Sequence, residues 1–291
     1  MAGPQPRSAL AAALGPGWEL QPLGRSTFCD TWQARRGALK RFVKSAAGPA
    51  AAMLRSEADG LQALSATGCI RVPQVESLVD TSDGMVVLAL EWLDFAPADT
   101  GFGRRFGRAL AALHAAPCPL EPPAFGWRID NHLGATPQRN TPPQVPNRAG
   151  WQAFMAECRL GWMRDRIPAA GQLRGAVNRV IEALPTLLPD APAPALIHGD
   201  LWQGNWGMLA DGTPVVFDPA VSCSDPGAEI AMMELFGSPP AGFRAGYEEA
   251  GGSWPGAQTV AVHQLYHLLN HVLLFGGGYA QQALRVARSL A

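Results

Sequence analysis

The feature that most narrows what this chain can become is Leu196-Ile197-His198-Gly199-Asp200-Leu201-Trp202-Gln203-Gly204-Asn205, followed by Val215-Val216-Phe217-Asp218-Pro219. Pro214–Phe217 is a short apolar run that reads as a strand, and the stretch before it must loop so that Asn205 returns beside Asp218. An Asp, an Asn and a second Asp in that order are what phosphoryl transfer from a nucleotide needs. One carboxylate orients the attacking hydroxyl, while an amide oxygen and a second carboxylate hold Mg²⁺ on the phosphates. Asp200 is therefore the candidate catalytic base, because a hydroxyl is a poor nucleophile until a carboxylate aligns it and takes its proton. Asn205 and Asp218 supply hard oxygen donors and are the candidate metal ligands. Taken singly, each has a plainer use, as a loop cap, a turn residue or a strand-end acid. The three in register carry the weight.

The spacing matches the catalytic loop and metal-binding Asp of the protein-kinase-like fold, and the rest of the chain is ordered accordingly. Trp18–Leu23, Thr31–Ala34 and Ala38–Val43 read as strands, Met53–Leu64 as a helix with Leu54, Ala58, Leu61 and Leu64 at helical spacing, and Val75–Val79 with Met85–Leu90 as a hairpin. The helices expected after these are 103–115, 152–166, 171–187, 229–235, 243–250 and 260–275, with a Pro-, Gly- and Asn-rich loop at 116–146 between the first two. The predicted architecture is α+β and two-lobed: a small antiparallel-sheet N-lobe with one helix (1–91), a hinge at 92–94, and a larger, mainly helical C-lobe (95–291).

Lys44 ends the run Leu39–Lys44, where a strand-borne lysine can bridge two phosphates. Glu57 on the following helix is placed to fix it. Lys40 competes for this role, and a surface Lys–Glu pair is the plainer reading. Gly24-Arg25-Ser26-Thr27, between the first two strands, is the candidate phosphate-covering turn, with Gly24, Ser26 and Thr27 offering backbone or hydroxyl groups. It holds one glycine, and an ordinary strand-to-strand turn would look the same.

Composition sets limits rather than chemistry. The chain has 291 residues, enough for one large core or two modest ones. A net charge of −1 gives no sign of a nucleic-acid-binding face. The Ala/Leu patch near the N-terminus is too short and weakly apolar for a membrane span or secretory signal and reads as an amphipathic helix or a frayed end. The five cysteines are scattered and odd in number, with no C-x-x-C, which fits neither a disulfide framework nor a zinc site. Reduced thiols and a cytoplasmic location are expected.

With those residues in view, His198–Asn205 and Phe217-Asp218-Pro219-Ala220 resemble the signature of the fructosamine kinases, or ketosamine-3-kinases, whose fold is similar to that of aminoglycoside phosphotransferases. The likeness runs from about Leu20 to the C-terminus. Phe42-Val43-Lys44 looks like the family's nucleotide-lysine strand. Phe125-Gly126, Gly134–Gln138 and Asn140 look like its long insert. Glu229 to Gly237, Tyr247, Tyr266 and Phe275–Tyr279 look like its C-terminal helices. The resemblance implies ATP- and Mg²⁺-dependent phosphorylation of the sugar 3-hydroxyl of a ketosamine, after which the adduct breaks down and frees the amine. It implies that Asp200 orients the hydroxyl, that Asn205 and Asp218 carry Mg²⁺, that Lys44 and Glu57 hold the nucleotide, and that backbone groups of Glu91 and Leu93 meet adenine. His198 is expected to pack and hydrogen-bond within the loop. Trp202 is the candidate platform under the sugar or its amine, since an indole face suits both. The turn at Arg25–Thr27 is poorer in glycine than in relatives, and Gly150-Trp151 stands where an acidic residue before Trp is frequent. A same-fold kinase of another small hydroxylated metabolite or an aminoglycoside, and a catalytically silent binder, are the competing readings.

Overall fold

Residues 6–25, 28–168, 171–188 and 190–291 are described by the computed structural model. Ser26 and Thr27, half of the expected phosphate-covering turn, lie outside them.

The chain begins with helix α1 (Pro6–Leu14), the amphipathic alternative read from the N-terminal patch. Strands β1 (Glu19–Arg25), β2 (Asp30–Arg36) and β3 (Leu39–Ala47) follow, then helix α2 (Pro49–Ala66) and the hairpin β4 (Val75–Asp80) and β5 (Met85–Glu91). The strands form one antiparallel sheet in the order β1-β2-β3-β5-β4. Strand periodicity decides which side chain faces what. Val43, Val87 and Ala89 point to the face covered by Leu10 and Leu14 of α1. Ala46, Val86, Leu88 and Leu90 point to the opposite face, against Leu54, Leu61 and Leu64 of α2. Each such leucine contributes roughly 1.5–3 kcal/mol on burial. Lys44 shares the parity of Ala46 and so faces α2. Strand β3 runs four residues beyond the expected Val43, and this places Lys44 within the pairing register, opposite Leu88.

Trp92–Asp94 leads from β5 into the short β6 (Phe95–Ala96) and then helix α3 (Phe102–Ala115). The stretch expected as one long loop carries a small hairpin, β7 (Asn131–Leu133) and β8 (Thr136–Gln138). The helix expected at 152–166 starts earlier: α4 (Arg148–Ala153) continues through a widened π-type segment, Phe154–Gly161, into α5 (Trp162–Arg164). Helix α6 (Gln172–Leu187) precedes β9 (Ala195–Ile197), β10 (Trp206–Leu209), β11 (Pro214–Val216) and β12 (Ser222–Ser224). Strands β11, β10 and β6 form one small sheet, and β12 pairs with β9. Helices α7 (Gly227–Leu235), α8 (Phe243–Glu249), α9 (Ala257–Phe275) and α10 (Gly278–Leu290) complete the chain. No helix had been expected at α10. Its buried contacts are the small Ala283 and Ala287, too little apolar signal to mark a helix in the sequence.

Two cores hold the helical part. One is continuous with the α2 face of the sheet and includes Phe106, Trp127, Leu196, Leu201 and Val216. The other gathers Phe125, Trp151, Phe154, Val180, Leu265 and Leu268 between the π-segment, α6 and α9. The β9/β12 pair lies between them, with Leu196 and Cys223 in the first core and Ala220, just before β12, in the second.

Candidate active site

Strands β9 and β11 deliver the loop and its return. Asp218 follows β11 with a backbone φ of 59°, the single positive φ of a non-glycine residue among the described residues. Such a conformation costs free energy and persists where the surroundings impose it. Gly199, at φ 84°, lies so close to the opposite chain that a Cβ there would fall 2.1 Å from the Ala220 carbonyl oxygen. The Ala220 N–H donates to the His198 carbonyl at 2.8 Å, and the Phe217 N–H to the Asn205 carbonyl at 3.1 Å, which locks the two arms together.

The carboxylate of Glu229, fully buried on α7, accepts the N–H of His198 and of Gly199, each at 2.8 Å. His198 is also buried. Its Nε2 lies 2.9 Å from the Phe217 carbonyl, and its Nδ1 accepts the Asp200 N–H at 3.3 Å. The ring is thus a neutral Nε2–H tautomer used at both nitrogens, and burial pulls its pKa down to about 4. His198 therefore ties the loop together by hydrogen bonds, as expected. Glu229 is the residue whose role sequence reasoning missed. A lone acid in the apolar run Ala228–Met233 is the signal that could have found it, since a buried carboxylate needs donors.

Asp200 projects from this scaffold. Burial first, then the charges of Asp218 and Glu229, push its carboxyl up to about 7 against the hydrogen bond from Asn205. The buried Asn205 side chain donates through Nδ2 to the Asp200 carbonyl at 2.7 Å and to Oδ2 at 3.4 Å, which turns its amide oxygen the other way. Lys44 reaches across from β3. Its Nζ is 2.8 Å from Glu57 Oε1 and 2.7 Å from Asp218 Oδ1. Burial works against this ammonium charge, but the two carboxylates outweigh it and hold the pKa above the usual lysine value. Lys40, the competing lysine, instead sits 3.5 Å from Asp94 at the outer end of the strand.

These side chains share one cleft. Lys44, Glu57, Asp200, Trp202, Asn205 and Asp218 all line a cavity of about 1010 Å³, together with Cys29, His132 and Gly134. Phe42 and Asp218 also border an adjoining cavity of about 740 Å³, walled by Leu23, Leu90, Glu91, Leu93, Phe95 and Phe217. The Glu91 N–H is spent on the Gln74 carbonyl at 2.9 Å, and its carboxylate pairs with Arg71. Leu93 is on the wall of this second, mainly apolar cavity. Gly24 is not among the residues bordering either cavity: it lies within β1 at an irregularity of the β1–β2 pairing, where its carbonyl accepts from Thr31 Oγ1 at 3.1 Å. Trp202 is 39% exposed, and its ring covers Gly204, where a Cβ would come within 2.3 Å of it.

The insert is a buttress. Asn131 Nδ2 donates to the Val221 carbonyl at 2.7 Å, and Gln138 Nε2 to that of Ala220 at 3.1 Å, so the hairpin supports the chain just after Asp218. Trp127 and Arg128 both donate to Asp59 on α2, fixing the helix that carries Glu57.

A β-sheet whose lysine is paired to a glutamate on the helix packed against it, set over a helical part whose loop presents Asp, Asn and Asp, defines a phosphotransferase of the kinase-like class. In agreement, the backbone superposes on aminoglycoside phosphotransferase APH(4)-Ia in its complex with ADP and hygromycin B with a TM-score of 0.65, covering 94% of this chain and 92% of that one at 14% identity, a likeness of fold alone. Within that class the family is settled by sequence. The fructosamine kinase family model matches residues 18–291, and the chain belongs to that family. A protein of Synechocystis sp. named "Probable ketoamine kinase" is 42% identical over 256 residues, 87% of this chain and 83% of its own length. A crystal structure from Thermobifida fusca, described as that of a "putative fructosamine-3-kinase", superposes with a TM-score of 0.83 at 32% identity, covering 97% of each chain. Among the described residues, no helix is long and apolar enough to cross a membrane.

Proposed function

We propose that this protein transfers a phosphoryl group from ATP to the 3-hydroxyl of a ketosamine, the sugar–amine adduct of early glycation, and so initiates its removal. The observation that carries this reading is the meeting of Lys44, Glu57, Asp200, Asn205 and Asp218 in one cleft, within a chain of the fructosamine kinase family. Asp200 aligns the sugar hydroxyl and accepts its proton. A carboxyl lifted to about 7 is matched to that task near neutral pH. Lys44, held by Glu57, stabilises phosphate charge that develops in transfer. The Asp218 carboxylate and the Asn205 amide oxygen are hard oxygen donors at the rim of that charge, a set that suits Mg²⁺, which favours oxygen ligands and keeps several waters. When bound there, Mg²⁺ neutralises phosphate charge. The apolar cavity beside Phe42 and Leu93 takes the adenine, bounded by the chain at Glu91, and Ser26 and Thr27 cover the phosphates. Trp202 offers its exposed face to the sugar or its amine.

In this reading residues 1–91 act as the nucleotide lobe, 92–94 as the hinge and 95–291 as the catalytic and substrate lobe, and the protein works in the cytoplasm. The test is a coupled assay of ADP release with ribulosyl-lysine, fructosyl-lysine and a simple amine-linked ketosamine. Turnover with at least one ketosamine, and a phosphate on its 3-oxygen, is the expected result. Turnover confined to other hydroxylated metabolites or aminoglycosides would replace the substrate, and failure to bind Mg-ATP would remove the enzyme reading altogether.

A further inference from the structure

The five cysteines look unrelated in the sequence, yet two of them meet. Cys118, in the turn after α3, and Cys223, in β12, are 105 positions apart and place their sulfurs 2.6 Å from each other. This is only a little longer than a disulfide bond, about 2.05 Å. We propose that Cys118 and Cys223 form an oxidisable dithiol, a modification site at which a hydroperoxide converts the two thiols into a disulfide that fastens the turn after α3 to the strand beneath the catalytic loop.

The two sulfurs differ in a way that assigns their parts. Cys223 is fully buried in the first core. Its backbone is held on both sides, by the pairing with Leu196 in β9 and by reciprocal hydrogen bonds with Gly126 at 2.9 and 2.7 Å. Cys118 is half-buried and stands between Pro117 and Pro119, whose rings restrict the backbone that presents it. Its thiol also lies 3.9 Å from the Ala124 carbonyl. A reagent from solvent therefore meets Cys118 first. When Cys118 ionises, the neighbouring thiol donates to its sulfur and holds its pKa down to about 6. The same contact, with burial, pushes Cys223 up. Cys118 is the nucleophile and Cys223 the partner that resolves it.

The Cys118 thiolate attacks one oxygen of the hydroperoxide. The O–O bond breaks, the alcohol (or water) leaves with a proton, and Cys118 becomes a sulfenic acid. The Cys223 sulfur then attacks the Cys118 sulfur and the S–S bond forms. Its proton and the sulfenic hydroxyl leave as water. Two thiols have lost two electrons and two protons to the peroxide. A small thiol reverses the bond by exchange at Cys118, the less buried sulfur. Neither sulfur borders the two cavities described above, so the bond closes behind the cleft rather than in it. It constrains a long loop of the unfolded chain and thereby favours the folded state.

The full-length protein, freshly reduced and freed of reductant, is treated with hydrogen peroxide near stoichiometry and digested without reduction. The expected product is one cross-linked peptide pair joining Cys118 to Cys223, lighter by two hydrogens than the sum of the separate peptides. The melting temperature should rise with the cross-link, return on adding dithiothreitol, and stay unmoved by peroxide in Cys118→Ser. The proposal is overturned if iodoacetamide still alkylates both thiols after peroxide, if Cys118 is recovered as a sulfinic acid, or if either cysteine pairs elsewhere. Differential alkylation of the wild type decides the matter even if the variant fails to fold. No readout requires turnover, so this site stands apart from the kinase reading.

Discussion

The cleft has two acidic halves that are built in opposite ways. On the sheet side, Glu57 and Asp218 share the ammonium of Lys44 at 2.8 and 2.7 Å. On the helical side, Asp200 and Glu229 have no cation within ion-pair reach among the described residues. Backbone amides and the Asn205 amide are their partners, and burial lifts both carboxyls to about 7. Burial lifts Glu57 to about 7 as well, so the halves differ in the shared ammonium, which fixes a positive charge on the sheet side, and in its absence beside Asp200. The first arrangement suits binding phosphates and the second suits moving a proton.

Removing the proton acceptor tests that contrast most severely. Asp200→Asn should lower kcat by on the order of a thousandfold, the scale of general acid–base catalysis, with the circular-dichroism spectrum and KM for ATP nearly unchanged. Retention of a tenth of the activity would sink the assignment. Lys44→Met attacks the other half. It removes a preorganised charge and leaves Glu57 and Asp218 facing each other, so kcat/KM for ATP should fall roughly a hundredfold; unchanged ATP kinetics would show that the lysine is not part of nucleotide handling. Glu229→Ala strips two buried loop amides of their acceptor, at a cost of roughly 2 kcal/mol in folding stability. Denaturant unfolding measures this, and a stability equal to wild type would mean that the loop does not depend on α7.

Acidity probes the contrast with a smaller effect. Asp200 must be ionised to take a proton, so kcat/KM for the ketosamine should rise with pH, by about tenfold per unit below its pKa, and level off above about 7. The residual activity of Asp200→Asn should lack that limb. A wild-type profile flat from pH 5 to 8, on the order of three pH units, would break the link between burial and catalysis. Trp202→Ala should move least. Loss of an exposed aromatic contact, about 1 kcal/mol, corresponds to roughly a fivefold rise in KM for the ketosamine with kcat preserved. An equal fall in kcat would instead give the ring a part in shaping the loop over Gly204.

Much of this site was legible because its residues follow one another in the chain. The run from His198 to Asn205 and the Asp after an apolar strand carry their chemistry in local spacing, and a lysine ending an apolar strand run ahead of a helix with a glutamate was enough to name Lys44 and Glu57. Gly24 was less well read. A glycine before Ser-Thr looks like a turn, but here it continues β1, because pairing with β2 overrides the local preference. The 116–146 segment, with its prolines and glycines, reads as loop, yet Asn131 and Gln138 make it a brace for Ala220 and Val221. Those contacts join residues more than eighty positions apart, and no local pattern announces them.

The sequence by itself determined the class of chemistry and the order of its parts, because strand and helix periods and the Asp–Asn–Asp spacing are properties of neighbouring residues. Only the tertiary structure decided which acids would share a cation and which would be left to backbone amides, that a buried Glu229 would hold the catalytic loop, and that Cys118 would lie against Cys223. Burial and long-range proximity set those outcomes, and both arise only when distant segments pack.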